Sequence, residues 1–284
     1  MPNCAPIIII GAPRSGTNML RDTLTKLPNC ATWPCDEINY IWKHYHKSYK
    51  TDAFPESFAN EKTRKYILNK FQWVSNKYNC HFVVEKTCAN SLRVEYLHKL
   101  LPDAKFVFIY RNGLDVIGSS MKRWKASLEL SYLVKKARFV PITDLPLYAF
   151  KYMWNHTYRS ISREKRLAVW GPKFEGLEKL KDSPLDEICA KQWKACVDAS
   201  TKGAALIPSK QKTIVTYENF VVRPKEELAR IANDLGLEFN QNHIAFATST
   251  VSKQSVNKGL HSLTKEQSQR LGNIIETTMQ EHGY

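Results

Sequence analysis

The apolar positions along this chain fall into two rhythms. Residues 6–10, Pro-Ile-Ile-Ile-Ile, form a nearly unbroken β-branched run closed at once by a Gly/Pro/Ser turn, which predicts a strand buried in a parallel sheet. Short apolar runs at residues 81–84, 105–110 and 213–217, each bounded by polar or turn residues, predict further parallel strands. Helical periodicity fills stretches between and beyond them, at residues 17–27, 61–78, 91–101, 114–125, 185–206, 225–235 and 265–282. Alternating strands and helices predict an α/β fold, a three-layer α/β/α arrangement around a central, mainly parallel sheet. Between residues 125 and 184 the strand signals vanish while Tyr, Trp, Lys and Arg become frequent, as in Tyr148-Ala-Phe-Lys-Tyr-Met-Trp154. That stretch predicts a helical insertion or lid. No internal repeat, low-complexity tract or long linker divides the chain, so residues 1–284 read as one domain.

Composition adds bounds. At 43% hydrophobic and 24% charged, 284 residues suffice for one sizeable core. The net charge of +15 favours polyanionic partners, be they nucleic acid, an anionic polysaccharide or a multiply charged nucleotide. The basic residues are scattered, with no Arg/Lys block and no RGG or zinc-finger pattern, so charge does not choose among these or a merely solvated basic surface. Seven cysteines without a C-x-x-C pair indicate neither a disulfide framework nor a zinc site, and read as reduced, mostly buried thiols. The apolar run at residues 7–10 is too short for a signal-peptide core, and no stretch approaches the ~18 apolar residues of a membrane span. The chain therefore reads as cytoplasmic, with no membrane partner.

The candidate chemistry begins after the first strand. Gly11-Ala-Pro-Arg-Ser-Gly-Thr-Asn18 is a glycine-bounded turn leading into a helix, so backbone N–H groups and the helix N-terminus can surround a phosphate. A nucleoside-triphosphate P-loop needs Lys after its last Gly, followed by Ser/Thr for Mg²⁺. Here Thr17 stands in that place and the cation has moved to Arg14, whose planar fork suits tetrahedral oxyanions without a metal. A P-loop kinase is disfavoured for that reason. A polyanion-binding module without chemistry stays open.

Gly11-Ala-Pro-Arg-Ser-Gly-Thr-Asn-Met-Leu20 resembles the 5'-phosphosulfate loop of sulfotransferases that use 3'-phosphoadenosine 5'-phosphosulfate (PAPS), a metal-independent family with a P-loop-containing α/β fold. The resemblance implies that Arg14, Ser15, Gly16, Thr17 and Asn18 hold the donor. Phe106-Val-Phe-Ile-Tyr-Arg-Asn-Gly-Leu-Asp-Val-Ile-Gly-Ser-Ser-Met-Lys-Arg123 resembles the family's 3'-phosphate motif, whose Arg and Ser fall on Arg111 and Ser119. A residue just before a helix and one two turns along it can border one pocket, and Arg123 extends that face. The family's Arg-Asp-Pro is Arg111-Asn-Gly113 here, which alters the turn.

Thr216-Tyr-Glu-Asn-Phe-Val-Val-Arg-Pro224 is similar to a family segment whose Tyr lies near the nucleotide, making Tyr217 either a donor-site residue or a strand-end core aromatic. The closing segment from Ser252 is similar to the family's cover over the 3'-phosphate, with Ser252 and Lys258 as candidates. For the base, Trp33-Pro-Cys-Asp-Glu-Ile-Asn-Tyr40 resembles the pattern of members that use Glu, implying Glu37, with Asp36, His44 and His46 as competitors. Lys86 in Val83-Val-Glu-Lys-Thr87 matches a family Lys and is either a donor to the leaving oxygen, acting with Arg14, or an ordinary solvated Lys. Trp193 fits a family position beneath the active site and equally a helix core position. The function implied is sulfuryl transfer from PAPS to a hydroxyl or nitrogen of a small-molecule acceptor, with a carbohydrate or protein tyrosine as alternative acceptors.

Overall fold

The computed structural model describes residues 4–126, 138–162 and 164–284. Five strands, Ala5–Ile10 (β1), Cys30–Ala31 (β2), Phe82–Lys86 (β3), Lys105–Tyr110 (β4) and Lys212–Thr216 (β5), form one parallel sheet in the order β2-β3-β1-β4-β5. Four of them fall where the apolar runs predict them. β2 is too short to leave a hydropathy signal.

The run of isoleucines in β1 is buried on both sides, as a central parallel strand requires. Strand alternation divides it between two cores. Ile7 and Ile9 pack with Val107, Ile109, Leu20 and Leu24 of helix Thr17–Leu24 (α1), and with Leu228 and Ile231. Ile8 and Ile10 pack on the other side with Phe106, Phe108, Tyr96 and Trp193. That second face is covered by helices Glu61–Tyr78, Val94–Leu100 and Leu185–Leu206, whose apolar residues join the same core. Three layers result, as the alternation of elements predicts.

The predicted helix at 17–27 ends early, at Leu24, four residues before Pro28. The one at 91–101 is preceded by a 3-10 turn, Cys88–Leu92, because Arg93 (φ −146) breaks the spiral to reach the Asn90 side chain.

The insertion is helical only in part. Ile142–Asp144 turns into the helix Leu145–Ile161, which has Pro146 in its first turn, whereas residues 164–184 are largely irregular apart from the turn Leu177–Leu180. Residues 127–137 and 163, which the predicted insertion also includes, lie outside the described residues. The buried Asp144 carboxylate accepts from Lys47 Nζ at 2.8 Å and lies 2.8 Å from His44 Nδ1, tying the insertion to the body. Among the described residues no helix is long and apolar enough to cross a membrane.

β1 lies between β3 and β4, so the loops leaving β3, β1 and β4 emerge side by side at the carboxyl edge of the sheet, with that of β5 beyond. In an open α/β sheet this edge, where strand order reverses, is where a ligand crevice forms.

Candidate active site

At the end of β1 the chain turns through residues 11–16 into α1. Gly16 adopts φ 88, and a Cβ there would run into the Tyr217 ring, so glycine is required on both counts. Arg14 has φ 69, a left-handed conformation that costs an L residue about 1–2 kcal/mol. Its backbone is held there by Arg111, whose Nη1 donates to the Arg14 carbonyl at 2.8 Å. The Arg14 side chain turns toward the helix after β4, Gly113–Lys125 (α5), and its Nε donates to Ser119 Oγ at 3.0 Å.

Arg111, buried at the end of β4, is a brace as much as a cation. Its Nε (3.0 Å) and Nη2 both donate to Asp115 Oδ2, Nη2 also donates to the Ser255 carbonyl, and its guanidinium lies 4.1 Å from the centre of the Tyr217 ring. With Arg14 included, four of its five N–H groups are committed. Asp115, which no motif singles out, is fully buried and holds the closing segment by backbone alone. Its oxygens accept from the N–H groups of Asn257 (3.1 Å), Gly259 (2.5 Å) and Leu260 (3.3 Å). The signal for it was the Arg–Asp spacing of four on a helix start. Ser252 and Lys258 take no part in these contacts. Ser252 caps its own turn by accepting from Gln254 N at 3.2 Å, and Lys258 is exposed.

The electrostatics of this edge point one way. Burial, then the like charges of Arg123 and Arg111, lower the pKa of Arg14. The guanidinium groups of Arg123 and Arg111 therefore bear on Arg14 at one edge, a field that an anion relieves. The first turn of α1 carries no acidic residue, and the Ser15 hydroxyl, 1% exposed, has no hydrogen-bond partner among the described residues. Thr17 is buried with its Oγ1 3.7 Å from Cys88 Sγ, and Asn18 is exposed on the same turn. A buried orphan hydroxyl, a helix N-terminus and clustered arginines fit a tetrahedral anion.

On the β3 side, Lys86 is buried, its side chain 2% exposed, and its Nζ lies 3.0 Å from both Asp36 Oδ1 and Glu37 Oε1. It is not a solvated lysine. Burial alone would lower its pKa, but Glu37 and Asp36 outweigh that and raise it. Burial pushes the Asp36 carboxyl up, yet Lys86 and then Arg21, whose Nη1 is 2.8 Å away, hold it below the usual range. Glu37 Oε1 also accepts from Cys88 N at 3.4 Å.

Beneath this pair lies polar wiring that the sequence did not signal. Glu85, fully buried, accepts from Thr87 Oγ1 at 2.5 Å and Asn90 Nδ2 at 2.7 Å, while Thr87 Oγ1 accepts from Ile38 N at 3.2 Å. Burial raises the Glu85 carboxyl to about 7. Glu37 and Ile38 are thus fastened to the end of β3.

The competing histidines are engaged elsewhere. His44 pairs with Asp144 and stacks on Tyr66, and His46 stacks on Phe58 with ring centres 4.2 Å apart. Trp193 is buried, and a Cβ on Gly113 would come within 3.0 Å of its ring.

Residues 6–169, more than half of the chain, match the model of a family described as the sulfotransferase family. This chain belongs to the sulfotransferase family. Solved structures share the fold. The sulfotransferase domain of the curacin biosynthetic pathway superposes with a TM-score of 0.55 at 11% identity, covering 97% of this chain and 99% of that one. Sulfotransferase STF9 from Mycobacterium avium gives 0.56 at 14% identity, covering 99% and 77%. Mouse sulfotransferase SULT7A1, solved in complex with PAP, gives 0.50 at 14% identity, covering 98% and 84%. No curated protein sequence matches the chain.

Proposed function

We propose that this sulfotransferase takes its sulfuryl group from PAPS and delivers it to a hydroxyl or nitrogen of a small-molecule acceptor. The observation that carries this reading is the gathering of Arg14, Arg111 and Arg123 at the loop whose buried Ser15 hydroxyl lacks a partner among the described residues. PAP in the mouse structure supports the same nucleotide here. The donor, when bound, supplies the sulfuryl group; the rest falls to side chains.

Arg14, Ser15, Gly16, Thr17 and Asn18 would hold the 5'-phosphosulfate. Ser119 and Arg123, with the one uncommitted N–H of Arg111, would receive the 3'-phosphate, and Tyr217 lies under Arg111 as the nucleotide-side wall. Glu37 takes the acceptor's proton. Lys86, released from Glu37 by that protonation, and Arg14 then offer N–H groups to the oxygen that leaves sulfur, where negative charge grows.

Isothermal titration with adenosine 3',5'-bisphosphate in EDTA, beside ATP and heparin, tests the donor. Tight, metal-free binding that weakens tenfold or more with adenosine 5'-monophosphate is expected. Preference for ATP with Mg²⁺, or for heparin over both nucleotides, would overturn the proposal.

A further inference from the structure

Between the insertion and residues 47–50 lies a cavity of about 810 Å³, within the range of small-molecule sites. Trp124, Leu147, Phe174 and Ile188 give it an apolar wall. Lys50, Lys173 and Lys181 also line it, and among the described residues none of their ammonium groups has a hydrogen-bond or ion-pair partner. Two further lining cations, Lys47 and Arg166, are paired with Asp144 and Glu164, and among the described residues Glu178 is the one carboxylate in the lining. Unpaired like charges around a partly enclosed apolar space repel one another, and an anion with an apolar body relieves that repulsion while covering the wall.

A second observation is independent of the lysines. Trp124 is 1% exposed, and its indole N–H has no acceptor among the described residues, although buried indoles ordinarily find one. Trp124 follows Arg123 directly and sits five residues beyond Ser119, about 7.5 Å of helix rise. Residues 47–50 continue the segment that carries Glu37. The two segments that bear Ser119 and Glu37 therefore run on into the walls of this cavity.

We propose that the cavity holds the far end of an elongated, amphipathic acceptor bearing a carboxylate or similar monoanion. Its nucleophilic group reaches back toward Glu37. That this molecule is an acceptor rests on the sulfotransfer function proposed above; the preference for an anion on an apolar chain rests on the cavity alone.

Calorimetric titration with 12-hydroxydodecanoate, with 1,12-dodecanediol as the uncharged control and no nucleotide present, tests the site. The carboxylate should bind about tenfold or more tightly than the diol. Replacing Lys50, Lys173 and Lys181 together by Gln should remove that preference without changing affinity for adenosine 3',5'-bisphosphate. Glu178→Gln, which removes a like charge, should tighten carboxylate binding and so guards against a triple variant that folds poorly. Equal binding of the two probes, binding of neither, or full carboxylate affinity in the triple variant overturns the inference. Carboxylate binding without binding of the bisphosphate would leave this site standing and defeat the donor reading instead.

Discussion

Arg111 donates from Nη1 to the carbonyl oxygen of Arg14 across 2.8 Å, so the loop after β1 and the loop after β4 are one mechanical piece. The same guanidinium grips Asp115, and Asp115 grips the backbone of residues 257–260. The candidate donor site is therefore assembled around a buried ion pair, and its failures should be cooperative.

Arg111→Ala should do more than delete a phosphate contact. It strands the fully buried Asp115 carboxylate, a change that costs about 3–5 kcal/mol. Urea unfolding and nucleotide titration should both register the loss. A variant with normal stability and weakened nucleotide binding would mean that Arg111 acts as a ligand only.

Gly118 lies inside α5, where replacing Gly by Ala ordinarily stabilises a helix by about 0.5–1 kcal/mol. Here an added Cβ would run into the Gly259 carbonyl, which faces the helix because Asp115 holds that loop in place. Gly118→Ala is expected to destabilise the protein by about 1–3 kcal/mol and to loosen the closing segment, seen as faster amide exchange over residues 255–262.

Glu37→Gln should lower kcat by about 10²–10⁴-fold while leaving nucleotide affinity nearly unchanged, since loss of a general base touches the proton and not the donor. His44→Asn should instead show itself in thermal stability, through the lost pairing with Asp144. If the histidine variant lost turnover and Glu37→Gln did not, the assignment of the base would be reversed.

Glu85 supplies a pH test. Burial raises its carboxyl from the usual 4.5 to about 7, so between those values the folded chain binds the proton that the unfolded chain has released. Stability from this group is present in full below about 4.5 and declines as pH rises toward 7, by up to about 3 kcal/mol. Relative to Glu85→Gln, the wild type should therefore lose stability from pH 4.5 to 7 in urea titrations. A flat difference would show that the carboxyl is ionised in the fold throughout.

Local sequence was enough for four of the five strands, because a parallel strand buried on both faces must be written as a continuous apolar run, as Ile7–Ile10 is. It was enough for the glycine turn at residues 11–16 too, since Gly16 and the helix behind it are consecutive in the chain. The placing of Arg111 and Ser119 at one helix start was legible because they lie eight residues apart in the chain, and the side chain that Ser119 meets there is that of Arg14. The role of Arg111 as a brace was not, because its partner Ser255 lies 144 residues away and contributes only a backbone carbonyl, which no side-chain pattern encodes.

What sequence by itself determined is therefore whatever has a fixed spacing along the chain: strand runs, helix periods and the glycine turn at residues 11–16. Tertiary structure alone decided which charges meet. Lys86 with Asp36 and Glu37, Arg111 with Asp115 and the closing loop, and Glu85 with Thr87 beneath Ile38 are settled by where parallel strands end relative to one another. Desolvation makes each of those charges costly unless a partner arrives, and the partner's distance in sequence carries no energetic weight once the chain has folded.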